Sequence, residues 1–329
     1  MLGKRLGVDL GAESLRIVVR GEGQVFAEPA VVARHRRRGY AAAGLPALEL
    51  AADPEMELVR PLRGGLIIDR SGVAALLQRA INRGAGRQRI FRPDVVVAVS
   101  PPMSGDDRLT ILDICAQLGT RTAYLIDSPV AAAMGAGQVL SGPRAHLIAD
   151  IGAGTVDVAC LASEGTIAGR TLSQAGDDLR TAVRRRLRER LGEDLGDVEA
   201  EEVVTSLACV GQHEERRMPL RLGADGEERF VEVVSTEIAD LVDEHSKRIA
   251  QAVREVIDET PVTLRREVLQ DGISLCGGGA RLEGLDRYLG LHCGCPARVV
   301  QEPQTCVIRG TQIAVENLDV LKRSFVYIR

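Results

Sequence analysis

LIADIGAGTVDVACL, residues 147–161, is an apolar run, a glycine-rich turn and a second run in which apolar residues alternate. The first run ends at Asp150 and the turn ends at Thr155. This pattern predicts a β-hairpin whose turn has room for a phosphate group. Glycines let backbone N–H groups approach an anion closely, and the Asp150 carboxylate follows the strand where it can hold a hydrated metal ion on a polyphosphate.

The same plan occurs near the N-terminus. LGVDLGAESLRIVV, residues 6–19, is again an apolar strand, an Asp-x-Gly turn and a second strand, so that Asp9-Leu10-Gly11 corresponds to Asp150-Ile151-Gly152. Two copies of one hairpin, each at the start of one half of the chain, predict two related lobes that face each other across a cleft. The two turns are expected to meet at the phosphates of a nucleotide.

A third glycine cluster, residues 277–279, follows a short apolar stretch and precedes a predicted helix with leucines on one face. A strand, three glycines and a helix in this order allow the backbone to approach a flat adenine or a ribose. This cluster is therefore expected at the nucleoside end of the same ligand.

These three segments resemble the actin, Hsp70 and sugar-kinase superfamily, and four further stretches narrow the resemblance to the bacterial actin MreB. They are FAEPAVVA at 26–33, VRPLRGGLI at 59–67, QEPQTCV at 301–307 and ENLD at 316–319. The similarity runs from about Arg5 to Lys322. It implies an α/β fold of two duplicated actin-like (ribonuclease H-like) lobes around a nucleotide cleft. Residues 1–145 would form the first lobe, with an outer subdomain at about 29–61, and residues 146–329 the second, with an outer subdomain at about 177–235.

The resemblance also implies the ligands, which are ATP or ADP with Mg²⁺, and the residues that hold them. Asp9 and Asp150 are expected at the metal ion. The nucleotide contacts are expected from the two hairpin turns, one helix of the second lobe and the triple glycine, and they are Gly11, Ala12, Glu13, Gly152, Ala153, Gly154, Thr155, Glu201, Gly277, Gly278 and Gly279.

The residues that position water for hydrolysis in this family are replaced here. The family pattern has Glu before the proline that is Pro129 in this chain, where Ser128 now stands with Asp127 one residue earlier; the family commonly has Thr at the positions of Val156 and Ala12. Phosphoryl transfer depends mainly on positioning and charge stabilisation, and a serine is both short and a poor base. Hydrolysis is therefore expected to be slow or lost unless Asp127 takes over the role.

Composition excludes several other classes of protein. The chain has 329 residues, is 45% hydrophobic and carries a net charge of −4, so it can bury a large core in two lobes and is not expected to bind nucleic acid. It has no Trp and is only 2% aromatic, which argues against ligand recognition by stacking. The seven cysteines lie mostly in apolar segments and are expected to be reduced and buried. Because the sequence contains no apolar run of membrane-spanning length, neither a signal peptide nor a membrane span is expected.

Ile90 and Phe91 are adjacent apolar residues between arginines, just ahead of a predicted strand. One interpretation is that Phe91 begins the strand and belongs to the core. The other comes from the resemblance, because members of the MreB family can insert a hydrophobic pair at this loop into the membrane. The surrounding arginines suit an anionic lipid surface. The sequence leaves both interpretations open.

The expected function is that of an MreB-like actin in the cytoplasm. It would form filaments with itself at the inner face of the cell membrane and organise cell shape and cell-wall synthesis with the elongation machinery. The alternatives are an FtsA-like regulatory or assembly protein, an Hsp70-like regulatory ATPase, and a kinase on the same fold. A kinase needs a carboxylate base beside a second substrate, for which no clear motif is present, and the stretch at 301–307 favours MreB over FtsA.

Overall fold

The computed structural model describes residues 3–86, 91–140, 142, 144–163, 165–211, 215–223 and 229–318, and the backbone of 326–328. The first half of the chain contains β1 (Arg5–Leu10), β2 (Ser14–Val19), β3 (Val25–Pro29), β4 (Val32–His35), β5 (Gly39–Ala43), α1 (Leu45–Glu49), β6 (Met56–Val59), β7 (Leu62–Arg63), β8 (Leu66–Ile67), α2 (Arg70–Ala85), β9 (Asp94–Val99), α3 (Gly105–Gln117), β10 (Thr122–Asp127) and α4 (Ser128–Gly135).

The second half continues with a comparable set of elements. These are β11 (His146–Ile151), β12 (Val156–Ala162), β13 (Gly165–Leu172), α5 (Gly176–Leu191), α6 (Asp197–Leu207), β14 (Arg217–Leu222), β15 (Arg229–Val234), α7 (Ala239–Glu259), α8 (Val262–Asp271), β16 (Ile273–Cys276), α9 (Leu285–Cys293), β17 (Ala297–Val299), α10 (Cys306–Glu316) and β18 (Val326–Ile328).

The two main sheets have the same topology. The first has the strand order β18-β10-β9-β1-β2-β3 and the second the order β13-β12-β11-β16-β17. In each, an antiparallel meander of three strands comes first, and its first strand then pairs in parallel with a later strand, β1 with β9 and β11 with β16. This repetition confirms the predicted α/β fold with two duplicated lobes. The outer elements are a three-stranded sheet of β5, β4 and β6 in the first half, and α6 with the β14–β15 hairpin in the second.

Each sheet has its own apolar core, and a third core lies between the two. The third cluster combines residues of both sheets, such as Val96 and Ile148, with residues of α4 and α10. These two helices cross in close backbone contact. A Cβ atom at Gly135 of α4 would overlap the backbone of α10 at Cys306, and one at Gly310 of α10 would overlap the backbone of α4 at Ala131. Only glycine permits an approach this close.

The C-terminal region departs from the predicted boundary between the lobes. α10 packs on α4 and β1, and β18 pairs antiparallel with β10, so it forms the edge of the first sheet. Residues after 146 therefore do not all belong to the second lobe. The physical reason is the open edge of β10, which a returning strand can cover with backbone hydrogen bonds. The other predicted boundaries stay predictions.

Helix α3 shows where a helical pattern predicts well and where it misleads. From the sequence, Ser104 is expected to cap this helix, and its side chain does accept a hydrogen bond from the backbone N–H of Asp107. The helical spacing of Leu109, Leu112 and Leu118 predicts that all three face the core, and this is wrong for Leu109, whose exposed fraction is 50%. The buried stripe of α3 runs through Ile111 and Cys115, one turn apart, and Leu109 lies on the other side of that stripe.

Within the described ranges, no helix combines the length and apolarity needed to cross a bilayer. All seven cysteines are free, and six are buried. Their burial agrees with the prediction of core thiols.

Candidate functional site

The two predicted turns have the same local structure and touch each other. In the first, the N–H of Gly11 donates to the carbonyl of Ser14 at 3.1 Å, and in the second, the N–H of Gly152 donates to the carbonyl of Thr155 at 2.8 Å. A Cβ atom at Gly154 would lie only 2.6 Å from the side chain of Ala12 in the opposite turn. The sequence thus brings two segments from separate lobes into contact through small residues.

A pocket of about 160 Å³ lies between these turns. Asp9 and Asp150, which end corresponding strands of the two lobes, both line it. The other predicted residues on its wall are Gly11, Ala12, Glu13, Ser128, Gly152, Ala153, Gly154, Thr155, Gly277 and Gly278.

A second pocket of about 320 Å³ adjoins the first on the side of α5 and α6. Five residues line both pockets and join them, namely Glu13, Gly152, Ala153, Gly278 and Gln304. Glu201 and Gly279, the remaining predicted nucleotide contacts, line the second pocket. The joined pockets suit an elongated ligand with one strongly polar end at the turns and a bulkier end beside α6.

The second-lobe hairpin places two carboxylates side by side. Asp150 and Asp157 are directly opposite each other on β11 and β12. Burial, followed by the nearby charges of Asp157 and Asp9, raises the pKa of Asp150 to about 8. Asp157 is 2% exposed and accepts hydrogen bonds from the hydroxyls of Thr171 at 2.6 Å and Thr155 at 3.0 Å, and from Ser100 of the first lobe at 3.1 Å.

The first-lobe hairpin instead pairs a carboxylate with a cation. Arg16 on β2 is directly opposite Asp9 on β1, and its Nη1 donates to Asp9 Oδ2 at 3.3 Å. Burial raises the pKa of Asp9, while the charge and hydrogen bond of Arg16 lower it in part. Asp157, which the resemblance to the family also implies as a binding group, and Arg16 both line the pocket. Arg16 was not predicted as a site residue, because its position seven residues after Asp9 becomes informative only once the hairpin register is known.

The carboxylates can hold magnesium only together with the ligand. Among the residues that the structure describes, no group of three or more His, Cys, Asp and Glu is placed to bind a metal ion. Mg²⁺ in proteins commonly takes one or two carboxylates and completes its octahedron with water and phosphate oxygens. Asp150 and Asp9 fit that donor set, since they line one pocket beside the two glycine turns.

A cross-lobe bridge centred on Arg180 closes one side of the joined pockets. Arg180 of α5 is nearly buried, and its Nη1 donates to Glu13 of the first lobe at 3.0 Å and to Glu201 of α6 at 3.2 Å. Its Nη2 donates to Asp177. Two of the predicted nucleotide contacts, Glu13 and Glu201, are therefore already joined through one guanidinium.

The family model described as MreB/Mbl protein matches residues 3–323. The chain belongs to the MreB/Mbl family. It is 32% identical to the cell shape-determining protein MreB of Escherichia coli strain K12 over 97% of this chain and 95% of that protein. It is 29% identical to the cell shape-determining protein Mbl of Bacillus subtilis strain 168, over 98% of this chain and 99% of that protein.

Solved structures agree with the MreB/Mbl assignment. MreB5 of Spiroplasma citri bound to ADP matches with a TM-score of 0.87 at 26% identity, over 98% of both chains. The same protein bound to AMPPNP also matches with a TM-score of 0.87, at 25% identity. A MamK double helical filament matches with a TM-score of 0.78 at 21% identity over 95% of this chain, which shows the shared actin-like fold.

Of the two residues considered for hydrolysis in this MreB/Mbl chain, Ser128 lines the first pocket and Asp127 does not. Ser128 begins α4 and lines the first pocket. Asp127 is absent from the described lining of that pocket, and its carboxylate accepts a hydrogen bond at 2.6 Å from Arg108 of α3. An aspartate held in this ion pair is directed to α3, so it would have to break the pair before it could contact a water in the pocket.

The predicted membrane contact is described only in part. Ile90 lies outside the described residues. Phe91 precedes β9, which begins at Asp94, and its exposed fraction is 49%. The interpretation of Phe91 as a core residue at the start of the strand is therefore wrong.

Proposed function

We propose that this MreB/Mbl chain binds ATP or ADP together with Mg²⁺ in the cleft between its lobes. The observation that carries the proposal is that Asp9 and Asp150, at corresponding positions of two duplicated hairpins, line one pocket beside two glycine-rich turns. The matched structures of MreB5 bound to ADP and to AMPPNP support it.

In this proposal, the polar end of the joined pockets holds the phosphates. The N–H groups of Gly11 and Gly152 bond within their turns, so the backbone N–H groups that follow them, at residues 12–13 and 153–155, donate to phosphate oxygens, as glycine-rich turns do in other phosphate sites. Asp150 and Asp9 hold the magnesium ion through its water shell, and the bound ion offsets the charge of the phosphates. Glu201 and the 277–279 glycines take the ribose and adenine at the bulkier end.

The proposed cellular role is a filament that organises cell shape and cell-wall synthesis from the cytoplasmic face of the cell membrane. Its partners would be further copies of itself, the membrane surface and the cell-wall elongation machinery. The relatives MreB and Mbl are named cell shape-determining proteins, which supports this role. The exposed ring of Phe91 next to Arg92 supports a lipid contact, because an apolar tip beside a cation suits an anionic leaflet.

Hydrolysis of the bound ATP is proposed to be slow or lost. Ser128 lines the pocket but has a short side chain that is a poor base at neutral pH. Asp127 is engaged by Arg108. The nucleotide would then act mainly by holding the two lobes together in a form that assembles.

Sedimentation with ATP, ADP or no nucleotide, with and without anionic liposomes, tests the proposal, together with phosphate release in the same samples. We expect nucleotide-dependent pelleting, liposome binding and little phosphate. Replacing Ile90 and Phe91 by Ser is expected to abolish liposome binding, whereas Phe230→Ser, which removes a more exposed ring on β15, leaves it intact. Pelleting that ignores nucleotide, or calorimetry that detects no binding of ATP or ADP, would refute the proposal.

A further inference from the structure

The two duplicated hairpins differ in one charge at their equivalent positions. In each, the residue seven positions after the aspartate is its cross-strand partner and shares its face of the sheet, and this residue is Arg16 in the first lobe and Asp157 in the second. One hairpin thus presents a carboxylate and a guanidinium to the pocket, and the other presents two carboxylates.

The Arg16 guanidinium is partly free to contact a ligand. Its side chain is 21% exposed, it lines the pocket beside the Gly11 turn, and Asp9 is its one hydrogen-bonding partner within the described part of the chain. A guanidinium carries five N–H donors in a planar fork. After one donation to Asp9, several donors remain, and a phosphate placed at the turn would be the acceptor within reach of them.

The two lobes contribute different net charges to the pocket. In the first lobe, Arg16 balances Asp9. In the second, Asp157 has hydroxyl donors from Thr155, Thr171 and Ser100, and no ion pair in the described residues joins Asp150 to a cation. A divalent ion is therefore attracted mainly to the Asp150 side, because the charge of Arg16 offsets the attraction of Asp9 on the other side.

We infer that Arg16 is a phosphate-binding residue that supplies a built-in positive charge on the first-lobe side of the pocket. This inference rests on the proposed nucleotide binding and extends it. The chain retains part of its affinity for a nucleoside diphosphate when divalent cations are removed, and a magnesium ion, when present, is held chiefly from the Asp150 side. Arginine suits this position because its fork can bind a phosphate with two hydrogen bonds.

Calorimetric titration of the full chain with ADP, in excess magnesium and in EDTA, tests the inference. The variants are Arg16→Met, which removes the charge, Arg16→Lys, which keeps it, and Arg20→Met, which removes an exposed arginine just beyond β2. In EDTA we expect Arg16→Met to bind about tenfold to a hundredfold more weakly than the parent chain, the range for a charge-assisted hydrogen bond. Arg16→Lys keeps most of the affinity, Arg20→Met keeps all of it, and magnesium reduces the deficit of Arg16→Met.

Three results would overturn the inference alone: a parent chain that binds ADP with magnesium but not in EDTA, an Arg16→Met variant that matches the parent in EDTA, or a deficit as large in magnesium as in EDTA. A parent chain that binds no ADP even with magnesium would instead refute the proposed function and the inference with it. If Arg16→Met alone does not fold because Asp9 is left without its partner, the double variant Asp9→Asn/Arg16→Met removes that orphan carboxylate. The affinity of this double variant for ADP in EDTA is then compared with that of Asp9→Asn, and equal affinities would overturn the inference.

Discussion

Replacing Asp150 by Asn should change how the stability of the ligand-free protein depends on pH. The pKa of Asp150 is raised from 3.8 to about 8, so the folded state holds a proton on this carboxyl over a range in which the unfolded chain has lost it. The charged and polar groups that shift the pKa of Asp150 come from several elements packed around it. Besides burial, they are Asp157 on β12, Asp9 on β1 and Cys306 on α10, while a hydrogen bond with Cys276 on β16 acts in the opposite direction.

The sign follows from proton binding. A folded-state pKa above the unfolded value stabilises the fold fully below about pH 4, and this contribution is lost as pH rises through about 8. Over the middle of that range, the folded state holds one more proton, so the free energy of unfolding falls by at most about 1.4 kcal/mol per pH unit. Because part of the Asp150 side chain faces the pocket and its solvent, we expect about half of this limit.

Urea unfolding followed by circular dichroism in EDTA, between pH 5 and pH 7.5, measures the effect. The chain has no Trp, so circular dichroism is preferable to fluorescence. We expect the difference in unfolding free energy between Asp150→Asn and the parent chain to shift in favour of the variant by about 1–2 kcal/mol across this interval. Asp113→Asn, which removes the same charge from an exposed position on α3, should show no such shift. If the curves of Asp150→Asn and the parent run parallel, the argument from burial and neighbouring charge is refuted.

Three further substitutions test other parts of the molecule. In a double-mutant cycle, Glu13→Gln and Arg180→Gln should show a coupling of about 0.5–1 kcal/mol in thermal stability without nucleotide, because they break one half-exposed ion pair between the lobes. Strictly additive effects would contradict this. Gly310→Ala should destabilise the fold by about 2–3 kcal/mol in thermal unfolding because its Cβ would overlap the backbone of α4, whereas Gly105→Ala, with open space around it, should change little. Ser128→Glu should raise the rate of phosphate release about tenfold or more if the site lacks only the water-positioning group. The control Ser128→Gln has a side chain of equal length without the carboxylate and should not raise the rate. Equal rates for the two variants would show that the carboxylate is not what the site lacks.

The hairpins and the two-lobe architecture could be predicted because their signals are local. A strand, an Asp-x-Gly turn and a second strand lie within about fifteen residues, and their repetition indicates the duplication without any knowledge of long-range contacts. The convergence of Asp9 and Asp150 on one pocket follows from that duplication.

The features that the sequence analysis missed depend on pairings that a sequence does not display. The partnership of Asp9 with Arg16 requires the exact register of β1 and β2, and a shift of one residue would place Arg16 on the opposite face. The return of β18 to β10 joins segments about two hundred residues apart, so no local pattern indicates it. The bridge from Arg180 to Glu13 likewise exists only after the lobes have closed on each other.

The glycine crossing of α4 and α10 also bears on how the two lobes can move. With backbone against backbone at Gly135 and Gly310, a sliding motion would bring the Cβ atoms of neighbouring residues against the opposing carbonyl groups, whereas a small change of angle about the contact would not. We therefore expect the crossing to act as a pivot, with displacements that grow with distance from it. A ligand that shifts the turns by a fraction of an ångström would then displace the outer sheet of the first lobe and the β14–β15 hairpin by a larger distance. Binding of a small molecule in the cleft would in this way alter surfaces far from it.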